Sequence, residues 1–198
     1  SIDGSLLTSG ILISLIGEII RIIAVGFSPE GTSGRNTKQQ IAESLNTSGI
    51  YSILRHPLYF GNYFMFLGPF IFTANILGIT LFTFIFWIYY ERIMFAEEVF
   101  LKGKFGKAFN TWANETPAII PTFKNYQPSD RSFSFTKVLF AEYSGICAVV
   151  PMFTLLLLFQ NNLNEISPAV NNVWKIFFGV NAMFYISLRS IKKIKRSR

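Results

Sequence analysis

The chain has 198 residues, of which 51% are hydrophobic, 17% aromatic and only 15% charged, with a mean hydropathy of +0.39. That balance excludes an ordinary soluble domain, which carries about 25% charged residues. The net charge of +7 comes largely from basic residues at the ends of apolar stretches and in the tail, a pattern that suits a membrane surface and not nucleic acid. With one cysteine, Cys147, and one histidine, His56, neither an internal disulfide nor a protein-ligated zinc site is expected.

A helix needs about 20 mostly apolar residues to cross a bilayer. Leu6 to Val25, Ile76 to Met94, Val138 to Phe159 and Val173 to Leu188 approach or meet that length, and the shorter Leu58 to Phe72 runs through Thr73, Ala74 and Asn75 into the next span. We therefore expect an all-α fold, a polytopic membrane helical bundle of about five transmembrane helices with a tight helical hairpin in second and third place. Gly68-Pro69 would weaken or kink the second helix, which is tolerated where neighbouring helices compensate. The chain starts at Ser1 and not at Met, and a further helix upstream is compatible with the pattern.

Short cytoplasmic loops retain Lys and Arg. With Ser1 outside, Arg35, Lys38 and Arg55, the group from Lys102 to Lys137 and the tail from Arg189 to Arg198 all fall inside, whereas Thr73 to Asn75 and Gln160 to Asn172 carry no basic residue. The expected protein is integral to the membrane, with its N-terminus outside and its C-terminus and active site on the cytoplasmic side. The tail reads as a topology anchor in contact with anionic lipid. A polar connector, Lys124 to Phe135, divides a core at residues 1–123 from a two-helix extension with a basic tail at residues 124–198.

Ionisable groups at membrane depth need a partner or a purpose. Glu18 and Arg21, three apart on the first helix, would neutralise each other or touch substrate. Glu142, near the start of the fourth span, is a candidate contributor to an acceptor site, although a charge at a helix entry is the commoner explanation. The stretch from Gly49 to Asn62 gathers Tyr51, Arg55, His56, Tyr59 and Asn62 at the entrance of the second span, with Pro57 suited to a first helical turn. Glu91, Glu97 and Glu98 lie at the exit of the third, so the hairpin returns both clusters to one membrane side, as a clamp for a zwitterion. Beyond them, Val99 to Trp112 alternates aromatics and lysines like an interfacial helix lying over the site as a lid.

The ordered set Tyr51, Leu54, Arg55-His56-Pro57, Tyr59 and Gly61, then Glu97-Glu98, Phe105-Gly106 and Thr116 to Pro121, resembles the isoprenylcysteine carboxyl methyltransferase and phospholipid methyltransferase superfamily over about Gly49 to Pro121. The resemblance implies a membrane-embedded enzyme that takes a methyl group from S-adenosylmethionine without a Rossmann domain and passes it to a lipophilic or lipidated acceptor. It implies a cofactor-binding module at 49–121, formed by Tyr51, Leu54, His56, Pro57, Tyr59, Asn62, Glu97 and Glu98, with Arg55 and Glu98 in catalytic roles. Two spans after Thr116 to Pro121 depart from the family, in which the module usually closes the chain. Membrane sterol reductases have similar Arg-His-Pro and Glu-Glu segments but bind a nicotinamide cofactor, and a non-enzymatic membrane subunit would need only the helices and the tail.

Overall fold

The computed structural model describes residues 4–29, 42–162 and 168–196, so Arg35, Lys38 and the end of the basic tail lie outside the described residues. The described residues are all helical or irregular. The helices are α1 (Gly4–Gly26), α2 (Pro57–Phe72), α3 (Ile76–Phe105), α4 (Lys107–Glu115), α5 (Phe135–Asn162) and α6 (Pro168–Arg196), with one 3-10 turn at Gly49–Ser52. Three of them, α1, α3 and the stretch of α5 from Phe135 to Phe159, are long and apolar enough to cross a membrane.

α1 and α2 form the tightest pair, and small residues permit it. Gly10 lies against Gly68, Gly17 against Gly61 and Met65, and Ser14 Oγ donates to the Met65 carbonyl at 2.9 Å. In lipid, where apolar side chains gain little from leaving one solvent for another, such close approach of backbones is a main source of helix association. The outer face of α1 stays apolar and exposed at Leu12, Leu15, Ile16 and Ile19, and α3 exposes Leu77, Leu81, Phe84, Ile85 and Ile88 in the same way. Pro69 is accommodated inside a continuous α2, buried beside the Gly10–Gly68 contact.

The hairpin is as tight as the sequence implies. α2 ends at Phe72, Ala74 takes a left-handed turn with φ +50°, and the Asn75 side chain caps α3 by accepting from the Gly78 amide at 2.9 Å. α3 runs further than the apolar stretch alone suggests. It continues through Val99 to Phe105 and stops at Gly106, whose φ of +52° is readily available to a glycine. The interfacial helix expected over Val99 to Trp112 is thus divided between the end of α3 and a separate α4.

α5 packs on α1 and α2 around Phe72, Phe153 and Leu157. α6 lies on α5, tied by Lys192 Nζ to the Phe140 carbonyl at 2.6 Å. The polar connector docks back onto the core instead of standing apart: the Gly49 amide donates to the Gln127 carbonyl at 2.8 Å, the Ser134 amide to the Gly26 carbonyl at 3.0 Å, and the Phe133 ring covers Gly26.

Candidate functional site

The segment before α2 cannot form helix hydrogen bonds of its own beyond the single turn at Gly49–Ser52, so it borrows partners from residues 112–122. The Arg55 amide donates to the Pro117 carbonyl at 2.9 Å and the Thr122 amide to the Ile53 carbonyl at 3.1 Å. Trp112, buried on α4, donates its indole N–H to the Tyr51 carbonyl at 2.9 Å. These bonds explain why the Thr116 to Pro121 segment belongs with the Arg-His-Pro segment, and they dock α4 against the turn before α2.

The open end of the hairpin brings Arg55-His56 and Glu97-Glu98 together. Glu98 Oε1 accepts from Arg55 Nε at 2.8 Å and lies 2.9 Å from His56 Nε2. Glu97 Oε2 accepts from the Tyr59 hydroxyl at 3.0 Å and lies 3.6 Å from His56 Nδ1. His56, 5% exposed, is thus held by a carboxylate at each ring nitrogen and stacks on Tyr59 with ring centroids 5.7 Å apart. Arg55 has further partners, since its Nη1 also reaches the carbonyls of Ala113 (2.7 Å) and Thr116 (2.8 Å). It fastens α3, α4 and the following loop to one point. Pro57 opens α2 in its first turn, while Glu91 is exposed and outside the assembly.

Burial works against a charge on His56, yet the hydrogen bonds and negative charge of Glu97 and Glu98 outweigh it and hold the imidazole pKa above its usual 6.5. Burial, reinforced by the Glu97 charge, raises the Tyr51 phenol far above its ordinary range, which keeps it protonated. A raised folded-state pKa contributes stability that is complete below the unfolded value and is lost as pH rises through the folded one. The thermal midpoint of the protein is therefore expected to fall as pH rises above the ordinary histidine value of about 6.5, and the His56→Gln variant to show a flatter profile. Parallel profiles for the two proteins would remove His56 from this account.

Asn62 joins a second cluster. Its Oδ1 accepts from Arg21 Nη1 at 2.5 Å, and its Nδ2 donates to the Tyr90 hydroxyl at 3.2 Å. Arg21 does not pair with Glu18 as the three-residue spacing suggests. It binds Glu142 of α5, with Nε 2.7 Å from Oε2, and both carboxylate oxygens of Glu18 are buried without a hydrogen-bond partner among the described residues. Glu142, 3% exposed, is the acceptor of a buried ion pair and not a charge at a helix entry. A signal was present in the sequence: Glu142 is the one carboxylate between Phe135 and Asn162, and an acid inside an apolar span calls for a cation.

Leu54 faces elsewhere. It lines an apolar cavity of about 560 Å³ bounded by Ile20 and Ile23 of α1 and by Phe27 just after it, by Ile50 and Ile53, and by Phe123. The chain thus turns from an apolar wall at Leu54 to a charged one at Arg55 and His56 within a single peptide step.

An all-helical protein with three helices fit to cross a membrane and an Arg-His/Glu-Glu assembly at the end of a helical hairpin defines a narrow class. Residues 7–108 match the phospholipid methyltransferase family model, and the chain belongs to that family. A probable protein-S-isoprenylcysteine O-methyltransferase of Oryza sativa subsp. indica is 30% identical over 118 residues, covering 57% of this chain and 59% of the relative. The protein-S-isoprenylcysteine O-methyltransferase of Schizosaccharomyces pombe is 28% identical over 119 residues, covering 58% and 49%. This chain therefore matches about half to three-fifths of the length of these relatives. Among solved structures, the eukaryotic intramembrane Ras methyltransferase ICMT aligns over 62% of this chain and 44% of its own, with 24% identity and a TM-score of 0.47.

Proposed function

We propose that this protein is an integral membrane methyltransferase that moves a methyl group from S-adenosylmethionine to a lipophilic or lipidated acceptor, either an isoprenylcysteine-like carboxylate or a phospholipid-like headgroup. The observation that carries this reading is the double carboxylate grip of Glu97 and Glu98 on His56, at the mouth of a hairpin in a chain of this family.

The donor set suits such a cofactor. Carboxylates accept from an ammonium group and from ribose hydroxyls, and aromatic faces favour a sulfonium cation and adenine. Glu97, with a side chain 38% accessible, has the freedom to take an incoming donor, while Tyr59 and Tyr90, 5.1 Å apart between ring centroids, present the aromatic surface. His56 and Tyr51 would complete the pocket from the side of the turn before α2, and Asn62 would orient Tyr90. When bound, the cofactor supplies an activated methyl on sulfur. The residues contribute by fixing its position and excluding water, so that an aligned acceptor lone pair needs no covalent help from the protein. Arg55, bound through Nε to Glu98 and through Nη1 to two carbonyls, serves to hold Glu98. The apolar cavity beyond Leu54 would take the hydrocarbon part of the acceptor.

Within this reading the chain makes five crossings, with α2 as a short span covered by protein and α6 as the last. The site faces the cytoplasm, with the N-terminus outside and the C-terminus inside, on the strength of the Lys and Arg distribution. The methyl-transfer core occupies residues 1–123, with its cofactor module at 49–121.

Calorimetry on the detergent-solubilised protein is expected to show S-adenosylmethionine binding in the micromolar range, an order of magnitude about typical for substrates. Binding of NADPH and none of S-adenosylmethionine would overturn the assignment in favour of a reductase. Mass spectrometry of lipid extracts, seeking a methylated species that depends on the protein, identifies the acceptor.

A further inference from the structure

α5 lies beyond residues 7–108, the part of the chain that matches the family, yet it sends a carboxylate into the centre of the bundle. A buried carboxylate is costly in an apolar setting, and an ion pair there offsets that cost without adding much net stability. The apolar packing of α5 is centred elsewhere, where Phe153 and Leu157 meet Phe72. What a buried pair can supply is geometry.

The geometry runs in one direction. Glu142 Oε2 accepts from Arg21 Nε, which turns Arg21 Nη1 toward Asn62 at 2.5 Å and the Leu58 carbonyl at 3.3 Å. Arginine only donates, so Asn62 must offer it Oδ1, and this points Nδ2 at the Tyr90 oxygen, 3.2 Å away. The side-chain amide cannot flip while Arg21 stays in place. Tyr90 in turn lies 5.1 Å from the Tyr59 ring, and the Tyr59 hydroxyl holds Glu97 Oε2.

We propose that Glu142 is a positioning residue of the methyl-donor site: from α5 it locks Arg21, and so sets the orientation of Asn62, Tyr90 and the Tyr59–Glu97 pair. The proposal rests on the reading of that pair as part of the donor pocket. It gives the extension a role in the core instead of leaving it as an appendage.

The test uses the full chain in detergent, with S-adenosylmethionine as the calorimetric probe. Glu142→Gln is expected to weaken binding about tenfold, and Glu142→Asp, which keeps the charge, to recover part of that loss. Tyr90→Phe is expected to weaken binding similarly, and the double variant Glu142→Gln/Tyr90→Phe to be no weaker than either single one, since both break the same chain of contacts. If Glu142→Gln does not fold, Arg21→Met/Glu142→Leu replaces the pair with apolar side chains of similar volume and is expected to fold and show the same tenfold loss. Wild-type affinity in either form, or full additivity with Tyr90→Phe, overturns the proposal. Hydrogen exchange of the ligand-free protein separates this from the assignment of function. Faster exchange at residues 91–98 in Glu142→Gln supports the coupling even if the wild type binds no S-adenosylmethionine, an outcome that would overturn the methyltransferase reading alone. Unchanged exchange there overturns the coupling.

Discussion

Glu98→Ala is expected to raise the dissociation constant for S-adenosylmethionine by about a hundredfold or more, the largest effect of any single change at the site. Glu98 Oε1 is the shared acceptor of Arg55 Nε and His56 Nε2, so its removal leaves two poorly exposed donors without their anion. Charge-assisted hydrogen bonds of this kind contribute roughly 1.5 to 3 kcal/mol each, and about 3 kcal/mol corresponds to somewhat more than a hundredfold in affinity. Arg55 keeps the Ala113 and Thr116 carbonyls, so the connection to α4 should survive and the protein should still fold. A calorimetric titration beside a thermal melt decides the matter. A variant with wild-type affinity would place the donor pocket elsewhere.

Gly17→Leu is expected to destroy the fold itself. A side chain at this position would run into the Gly61 carbonyl oxygen and the Met65 amide nitrogen, both backbone atoms that cannot swing aside. Overpacking in a well-filled interior costs about 1 to 3 kcal/mol where side chains can yield, and a clash with backbone exceeds that range. Because α1 carries Arg21 and α2 carries Asn62, parting the two helices would also break the polar cluster between them. Gly103→Leu is the control, since nothing lies within 4 Å of the position its side chain would take. Size-exclusion profiles after mild heating should show loss of the monodisperse peak for Gly17→Leu alone. Equal survival of the two variants would mean that α1 and α2 are not held by their glycine contacts.

The features that were legible in the sequence are those carried by neighbours along the chain. The apolar runs mark α1, α3 and α5, and the three residues Thr73 to Asn75 leave room only for a hairpin, which is enough to return Arg55-His56 and Glu97-Glu98 to one side. Features set by contacts distant in sequence were not legible. Glu18 stands at the spacing that pairs with Arg21 on an isolated helix, but the packing of α1 on α5 presents Glu142 instead, 121 residues away. Leu54 falls within a polar-rich stretch, and only the fold of the turn before α2 shows that it faces an apolar cavity. The end of α3 was obscured for a different reason. Lysines and aromatics from Val99 onward read as an interfacial pattern, whereas the backbone remains helical until Gly106 permits the break.

The length of α3 has a consequence of its own. Glu98 lies 22 residues beyond Ile76, which at 1.5 Å per residue is about 33 Å along the axis, slightly more than the roughly 30 Å of a hydrocarbon layer. On the proposed topology, a helix anchored at Ile76 on the far boundary would act as a depth gauge, delivering its two carboxylates to the level where lipid headgroups begin. If the protein transfers methyl groups as proposed, it would select its acceptor by altitude as well as by shape. Atoms near the polar end of such an acceptor would come within range, and those buried among the chains would not. Bilayers of different thickness should accordingly change which molecules this protein can reach, with no residue of the site altered.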